Sequence, residues 1–126
     1  MTDQLAQRGA SVLVVDDDDV RNVLRWMLEG GGYRVLEAGD GHQALAQVRS
    51  QHVDLVLTDL VMPEREGIET IQAIRREWPS LKVIAMSGAF GGEILRVAKL
   101  LGAHSTLQKP LRADDVLRAV ADALAA

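Results

Sequence analysis

Four aspartates, Asp16 to Asp19, stand directly behind the aliphatic run Val12 to Val15, and a further aspartate, Asp59, stands behind Leu55 to Thr58. Ser87 follows Lys82 to Met86, and Lys109 follows Ser105 to Gln108. Carboxylates brought together repel one another, so such a group either raises a pKa or holds a cation. Oxygen donors without histidine or cysteine suit Mg²⁺, which keeps several waters and bridges protein carboxylate to phosphate. A hard divalent ion beside a carboxylate, a hydroxyl and an ammonium makes a site for phosphoryl transfer, where the protein positions groups and neutralises charge. An aspartate in such a site can itself be the nucleophile, giving an aspartyl phosphate.

These residues are distant in sequence, and only the fold can bring them together. The apolar runs at Ser11 to Val15, Arg34 to Ala38, Leu55 to Thr58, Lys82 to Met86 and Ser105 to Gln108 read as five short strands. Between and after them, apolar residues recur at helical spacing: Val20, Val23, Leu24, Met27 and Leu28; Ala44, Leu45 and Val48; Ile68, Ile71, Ile74 and Trp78; Ile94, Val97, Ala98 and Leu101; Val116, Val120 and Leu124. Glycines at 30 to 32 and at Gly102 follow helix ends, Asp40-Gly41 opens a helix, and Pro79 stops one. Alternation of this kind predicts an α/β fold, a parallel sheet with helices on both faces, because a parallel crossover needs a helix-sized connection. Strands without polar alternation agree with burial on both sides. In such sheets ligands sit beyond the carboxyl ends of the strands, where all of the residues named above fall.

Composition narrows the reading. The 126 residues fit one domain, with a polar tail at residues 1–10 and the domain over 11–126. No cysteine is present, which removes disulfides and thiolate chemistry and fits a reducing compartment, so a cytoplasmic location is expected. Neither a leader nor a membrane span is indicated. A net charge of −4 with both signs interspersed leaves no basic stripe for direct nucleic-acid binding.

Taken in order, "VVDD", "LTDLVMP", "MSG" and "QKP" resemble the receiver domain of two-component response regulators over nearly the whole chain. The resemblance implies a (βα)5 flavodoxin-like, doubly wound sheet of five parallel strands in the order 2-1-3-4-5. Asp59 resembles the phosphoacceptor. Asp16 and Asp17 match the acidic pair that holds Mg²⁺, the second directly and the first mainly through water, with Asp59 and the backbone carbonyl of Val61 completing the metal site. Ser87 fits the switch hydroxyl, and Lys109 fits the ammonium that meets the phosphoryl group, often ahead of a cis proline bond. The implied partners are a sensor histidine kinase or histidine phosphotransfer protein and an unidentified downstream protein. Such a chain accepts a phosphoryl group and switches partner binding; it does not turn over an external substrate. The "MTDQ" start favours a stand-alone protein, monomeric or weakly dimeric.

Several positions depart from the family pattern. Thr106 stands where most receivers have Tyr or Phe, which excludes an aromatic rotamer switch there, and Leu111 replaces a frequent aromatic after Pro110. Arg65 and Glu66 stand where Met and Asp are common. The glycine-rich segment at 88–92 is expected to rearrange in place of the aromatic switch. Val61 and Ala89, unable to orient water by side-chain hydrogen bonding, imply slow self-dephosphorylation.

Plainer roles suit other residues. Asp18 and Asp19 read as a helix start, as do Asp114 and Asp115. His42, His52 and His104 lack ligand spacing and read as surface or interface residues, while Trp26 and Trp78, beside apolar stripes, are expected to be at least partly buried. "VVDDDDV" also satisfies the first motif of haloacid dehalogenase-type hydrolases, with Asp16 as nucleophile, but that reading needs an acidic motif after a further strand and leaves Asp59 unexplained. A receiver-shaped binding module that is never phosphorylated is the other alternative.

Overall fold

The runs at 11–15 and 55–59 are buried along their whole length and that at 82–87 at all but its first residue, whereas those at 34–38 and 105–108 carry polar residues and are only partly buried. The computed structural model describes residues 9–60, 66–88 and 92–126. Its elements alternate: β1 (Ser11–Val15), α1 (Asp18–Gly30), β2 (Arg34–Ala38), α2 (Gly41–Ser50), β3 (Leu55–Asp59), α3 (Glu66–Glu77), β4 (Lys82–Ser87), α4 (Gly92–Leu100), β5 (Ser105–Gln108) and α5 (Ala113–Ala125). All strand pairs are parallel, in the order β2-β1-β3-β4-β5, which is the flavodoxin-like order. The strands coincide with the expected ones, except that β3 and β4 run one residue further and take in Asp59 and Ser87 themselves. Among the described residues no helix is long and apolar enough to cross a membrane.

Successive strand residues point to opposite faces, and each face has its own core. Leu13, Val15, Val56, Val83 and Ala85 pack against Ala44, Val48, Ile71, Ile74 and Ala98 of α2, α3 and α4. On the other face Val12, Val14, Leu55, Leu57, Ile84 and Met86 pack against Leu24, Leu28, Val116, Val120 and Ala123 of α1 and α5. Burying one such Leu or Ile fully stabilises the fold by about 1.5–3 kcal/mol, so the two layers together hold the sheet rigid beneath its loops.

Helix starts follow local chemistry. Asp40 caps α2, its Oδ1 accepting from the Gln43 N–H at 2.8 Å. Asp114 and Asp115 lie in the first turn of α5, and Asp18 and Asp19 in that of α1, as the acid-rich starts suggested. Trp26 corrects an expectation: it is 76% exposed. The buried residues of α1 are Leu24 and Leu28, one turn apart, and a residue midway between them lies on the opposite side of a helix of 3.6 residues per turn. Trp78 is half-buried, under the Arg49 guanidinium 5.8 Å from its ring centroid. His42 and His52 are exposed, and His104 is half-buried.

The α4–β5 turn depends on Gly102, whose φ of +116° is a conformation that residues with a Cβ rarely adopt. A Cβ there would also meet the Arg75 side chain at 2.5 Å. Gly102→Ala is expected to lower stability by ~1–2 kcal/mol, read as a lower urea midpoint at unchanged slope. An unchanged midpoint would show that Arg75 and the turn relax without cost.

Candidate functional site

Parallel strands that start level also end level, and this sheet edge is where the polar residues emerge. Register pairs Val15 with Thr58, Asp59 with Met86 and Ser87 with Gln108. Beyond the strand ends the backbone stays tied: the N–H of Asp16 donates to Ala38 O at 3.3 Å, that of Leu60 to Met86 O at 2.9 Å, and that of Lys109 to Ser87 O at 2.7 Å. Asp16, Asp59, Ser87 and Lys109 are thereby carried to one edge by β1, β3, β4 and β5.

Lys109 joins two carboxylates there. Its Nζ lies 3.0 Å from Oδ2 of Asp16 and 3.6 Å from Oδ2 of Asp59. Asp16 is 1% exposed and Asp59 6%. The Asp16 Oδ2 is thus paired with the Lys109 ammonium. The other oxygen of Asp16 accepts from the Asp17 N–H at 2.7 Å. Burial raises the Asp16 pKa and the neighbouring Asp59 charge adds to it, against the opposing pull of Lys109 and the Asp17 N–H. Burial acts on Lys109 in the direction of neutrality, but Asp16 and Asp59 more than offset it and hold the ammonium above its ordinary pKa. The site is thus a fixed cation between two buried carboxylates.

Ser87 is fully buried at the end of β4, and its hydroxyl has no hydrogen-bond partner among the described residues. A buried hydroxyl without a partner costs about 1–3 kcal/mol, an expense that persists where a ligand supplies the missing acceptor. The Lys109–Pro110 peptide bond is cis. Asp17 is exposed and serves as the N-cap of α1, its Oδ1 accepting from the Val20 N–H at 3.0 Å. The cap therefore falls to Asp17 rather than to Asp18 or Asp19, of which Asp18 pairs with Arg21. One Asp17 oxygen is engaged in that cap.

Among the described residues no three carboxylate or imidazole side chains form a metal cage of their own. The donors at this edge are oxygen only, which suits Mg²⁺. Val61, Met62, Pro63 and Arg65, and Ala89, Phe90 and Gly91 of the glycine-rich segment, lie outside the described residues, as does the Glu66 side chain.

One residue that the sequence reading passed over belongs to the site. A Cβ on Gly67, in the first turn of α3, would lie 2.6 Å from the carbonyl oxygen of Asp59 and 2.7 Å from the Cα of Leu60. The helix start rests directly on the backbone that carries Asp59, and only glycine permits that approach. Its signal in the sequence is a glycine just inside a helix, where propensity alone disfavours it.

The hydrolase alternative loses its footing. Asp114 and Asp115, which would have to follow an additional strand, lie in α5 after the last strand of the sheet. Comparison with known proteins gives the same answer. Residues 12–121 match the response regulator receiver domain family. The transcriptional regulatory protein ZraR of Klebsiella oxytoca is 41% identical over 115 residues, covering 90% of this chain and 26% of that protein. The chain thus spans about a quarter of the length of that relative. Among solved structures, a putative response regulator from Chloroflexus aurantiacus superposes with a TM-score of 0.88 at 25% identity, covering 94% of this chain and 100% of that one. The chemotaxis protein CheY4 of Vibrio cholerae superposes at 0.84 with 27% identity, covering 91% and 98% respectively. Strand order, the edge at which the charged residues meet and the match over residues 12–121 agree: this chain belongs to the response regulator receiver family.

Proposed function

We propose that Asp59 accepts a phosphoryl group from a phosphohistidine on a sensor kinase or phosphotransfer protein, and that the modified domain changes what it binds. The observation that carries this reading is the Lys109 ammonium set between Asp16 and Asp59 at the carboxyl edge of the sheet. Asp59 Oδ attacks phosphorus, an O–P bond forms as the N–P bond to histidine breaks, and the imidazole leaves with the electron pair of that bond. Lys109 neutralises charge on the incoming phosphoryl oxygens, and the Ser87 hydroxyl, which has no partner among the described residues, donates to one of them once Asp59 is modified. Asp16, Asp17, Asp59 and the Val61 carbonyl would hold Mg²⁺, which would supply further neutralisation of phosphoryl charge. Lys109 also lines an apolar groove of about 240 Å³ with Asp19, Val20, Val23, Pro110 and Leu111, giving a donor protein a surface next to the site.

The domain works as a phosphoacceptor, not as an enzyme acting on an external substrate, and the cytoplasm is the compartment where such donors operate. Intact mass after incubation with acetyl phosphate and Mg²⁺ tests the reading. A single phosphoryl adduct is expected on the wild type and none on Asp59→Asn. No adduct on the wild type would favour the silent binding module, and an adduct surviving in the variant would move the nucleophile to another residue.

A further inference from the structure

Thr58 is fully buried in the row of β3 that packs under α2, α3 and α4, between Val56 and Leu60 on its own strand and beside Val15 of β1 and Ala85 of β4. All four of these neighbours are apolar. Valine would fill the same place, since both side chains are β-branched and suit a strand, so neither packing nor propensity calls for a hydroxyl here. A hydroxyl in such surroundings costs desolvation unless it is bonded. The one hydrogen bond that Thr58 Oγ1 makes among the described residues goes to the carbonyl oxygen of Asp59, at 3.3 Å.

That carbonyl belongs to the residue proposed above as the nucleophile. The register of β3 with β1 ends at the Val15–Thr58 pair, so Asp59 stands one residue past the last pair on that side. The peptide unit that follows it is held on the β4 side, where the Leu60 N–H donates to Met86 O at 2.9 Å. Thr58 holds the opposite end of the same planar unit, and a peptide fixed at both its N–H and its C=O leaves the Asp59 Cα little freedom to rotate. From that Cα the carboxylate is aimed, with one oxygen 3.6 Å from the Lys109 ammonium. At 3.3 Å the Thr58 bond is longer than the usual O–H···O separation of about 2.8 Å, so it guides the peptide without clamping it.

We propose that Thr58 is a positioning residue for phosphoryl transfer: its hydroxyl, acting through the Asp59 carbonyl, orients the Asp59 carboxylate. This role rests on Asp59 being the phosphoacceptor.

Rates of phosphorylation by acetyl phosphate with Mg²⁺, followed by intact mass, and thermal midpoints of the same proteins test it. Two pairs of chains differ by this hydroxyl: wild type against Thr58→Val, and Thr58→Ser against Thr58→Ala. Thr58→Val is expected to react about fivefold more slowly, well short of the about hundredfold that a displacement of about 1 Å can cost, while its midpoint stays level or rises because a buried polar group is gone. Thr58→Ser, which loses the methyl group, melts lower and keeps the wild-type rate. Thr58→Ala melts lower and is also slow. Rate then follows the hydroxyl and stability follows the methyl group, a separation that a merely structural threonine would not produce. Should Thr58→Val not fold, the serine and alanine variants, compared below both of their midpoints, decide the matter by themselves. A Thr58→Val as fast as the wild type, a Thr58→Ser as slow as Thr58→Ala, or a rate that tracks the midpoint across the set would overturn the proposal and leave Asp59 as the phosphoacceptor. No adduct on the wild type, or one that survives in Asp59→Asn, would instead overturn the reading of Asp59, and the role of Thr58 with it.

Discussion

Asp16→Asn is expected to raise the thermal midpoint at neutral pH by about 4 °C, corresponding to about 1 kcal/mol, while phosphorylation of Asp59 falls at least tenfold. The gain comes from the environment of a carboxylate that is 1% exposed, whose pKa burial raises and whose neighbour Asp59 has the same charge. Because the folded state holds this proton more tightly than the unfolded chain, stability falls as pH rises from the ordinary aspartate value near 3.9 through the raised one, and the loss persists above it. Asparagine removes that loss, keeps an oxygen to accept the Asp17 N–H, and leaves Lys109 paired with Asp59. On the proposed reading the same substitution also removes one of the carboxylates that would hold Mg²⁺, so added Mg²⁺ should stabilise the wild type more than the variant. Thermal melts from pH 4.5 to 8 in chelator and in Mg²⁺ separate the two effects. A lower midpoint for the variant in chelator would mean that the Lys109–Asp16 pair outweighs its desolvation. Lys109 has a slope of the same sign at higher pH: its contribution is complete below the ordinary lysine value and disappears as pH rises through the raised one.

Much of this arrangement was legible because parallel strands carry their own markers. Strands buried on both faces show as unbroken apolar runs, and their carboxyl ends are where Asp16, Asp59, Ser87 and Lys109 stand. The sequence could not show how a charge is shared within the edge. Lys109 lies nearer to Asp16 than to Asp59, a difference of register and rotamer that spacing does not encode. Asp17 was legible as an acid beside Asp16, but its capping bond depends on the chain turning at that residue, which four consecutive aspartates leave ambiguous. Trp26 misled because a large aromatic beside an apolar stripe is usually drawn inward, whereas Leu24 and Leu28 already fill that side of α1. Close approach between backbones was invisible altogether, since a glycine records the absence of a side chain and not what occupies the space.

Gly67→Ala tests that last point and carries the largest expected effect outside the charged residues. The new Cβ would stand 2.6 Å from the Asp59 carbonyl oxygen and 2.7 Å from the Leu60 Cα, both main-chain atoms that cannot rotate away, and 3.3 Å from a Leu60 methyl. Either α3 lifts from the sheet edge or the end of β3 shifts, and each route loses packing around Leu60 and Ile71, which are buried. Overpacking of this kind costs about 1–3 kcal/mol. The consequence for chemistry is larger, because a displacement of about 1 Å in a reacting group can cost about a hundredfold in rate. Phosphorylation by acetyl phosphate under conditions where the protein remains folded should therefore slow at least tenfold. Gly102→Ala provides the comparison, since it strains a turn that contacts Arg75 and carries none of the site residues. If both variants lose stability and only Gly67→Ala loses rate, the contact of α3 with the Asp59 backbone positions the phosphoacceptor. If the two variants slow alike, the rate follows global stability, and Gly67 serves packing alone.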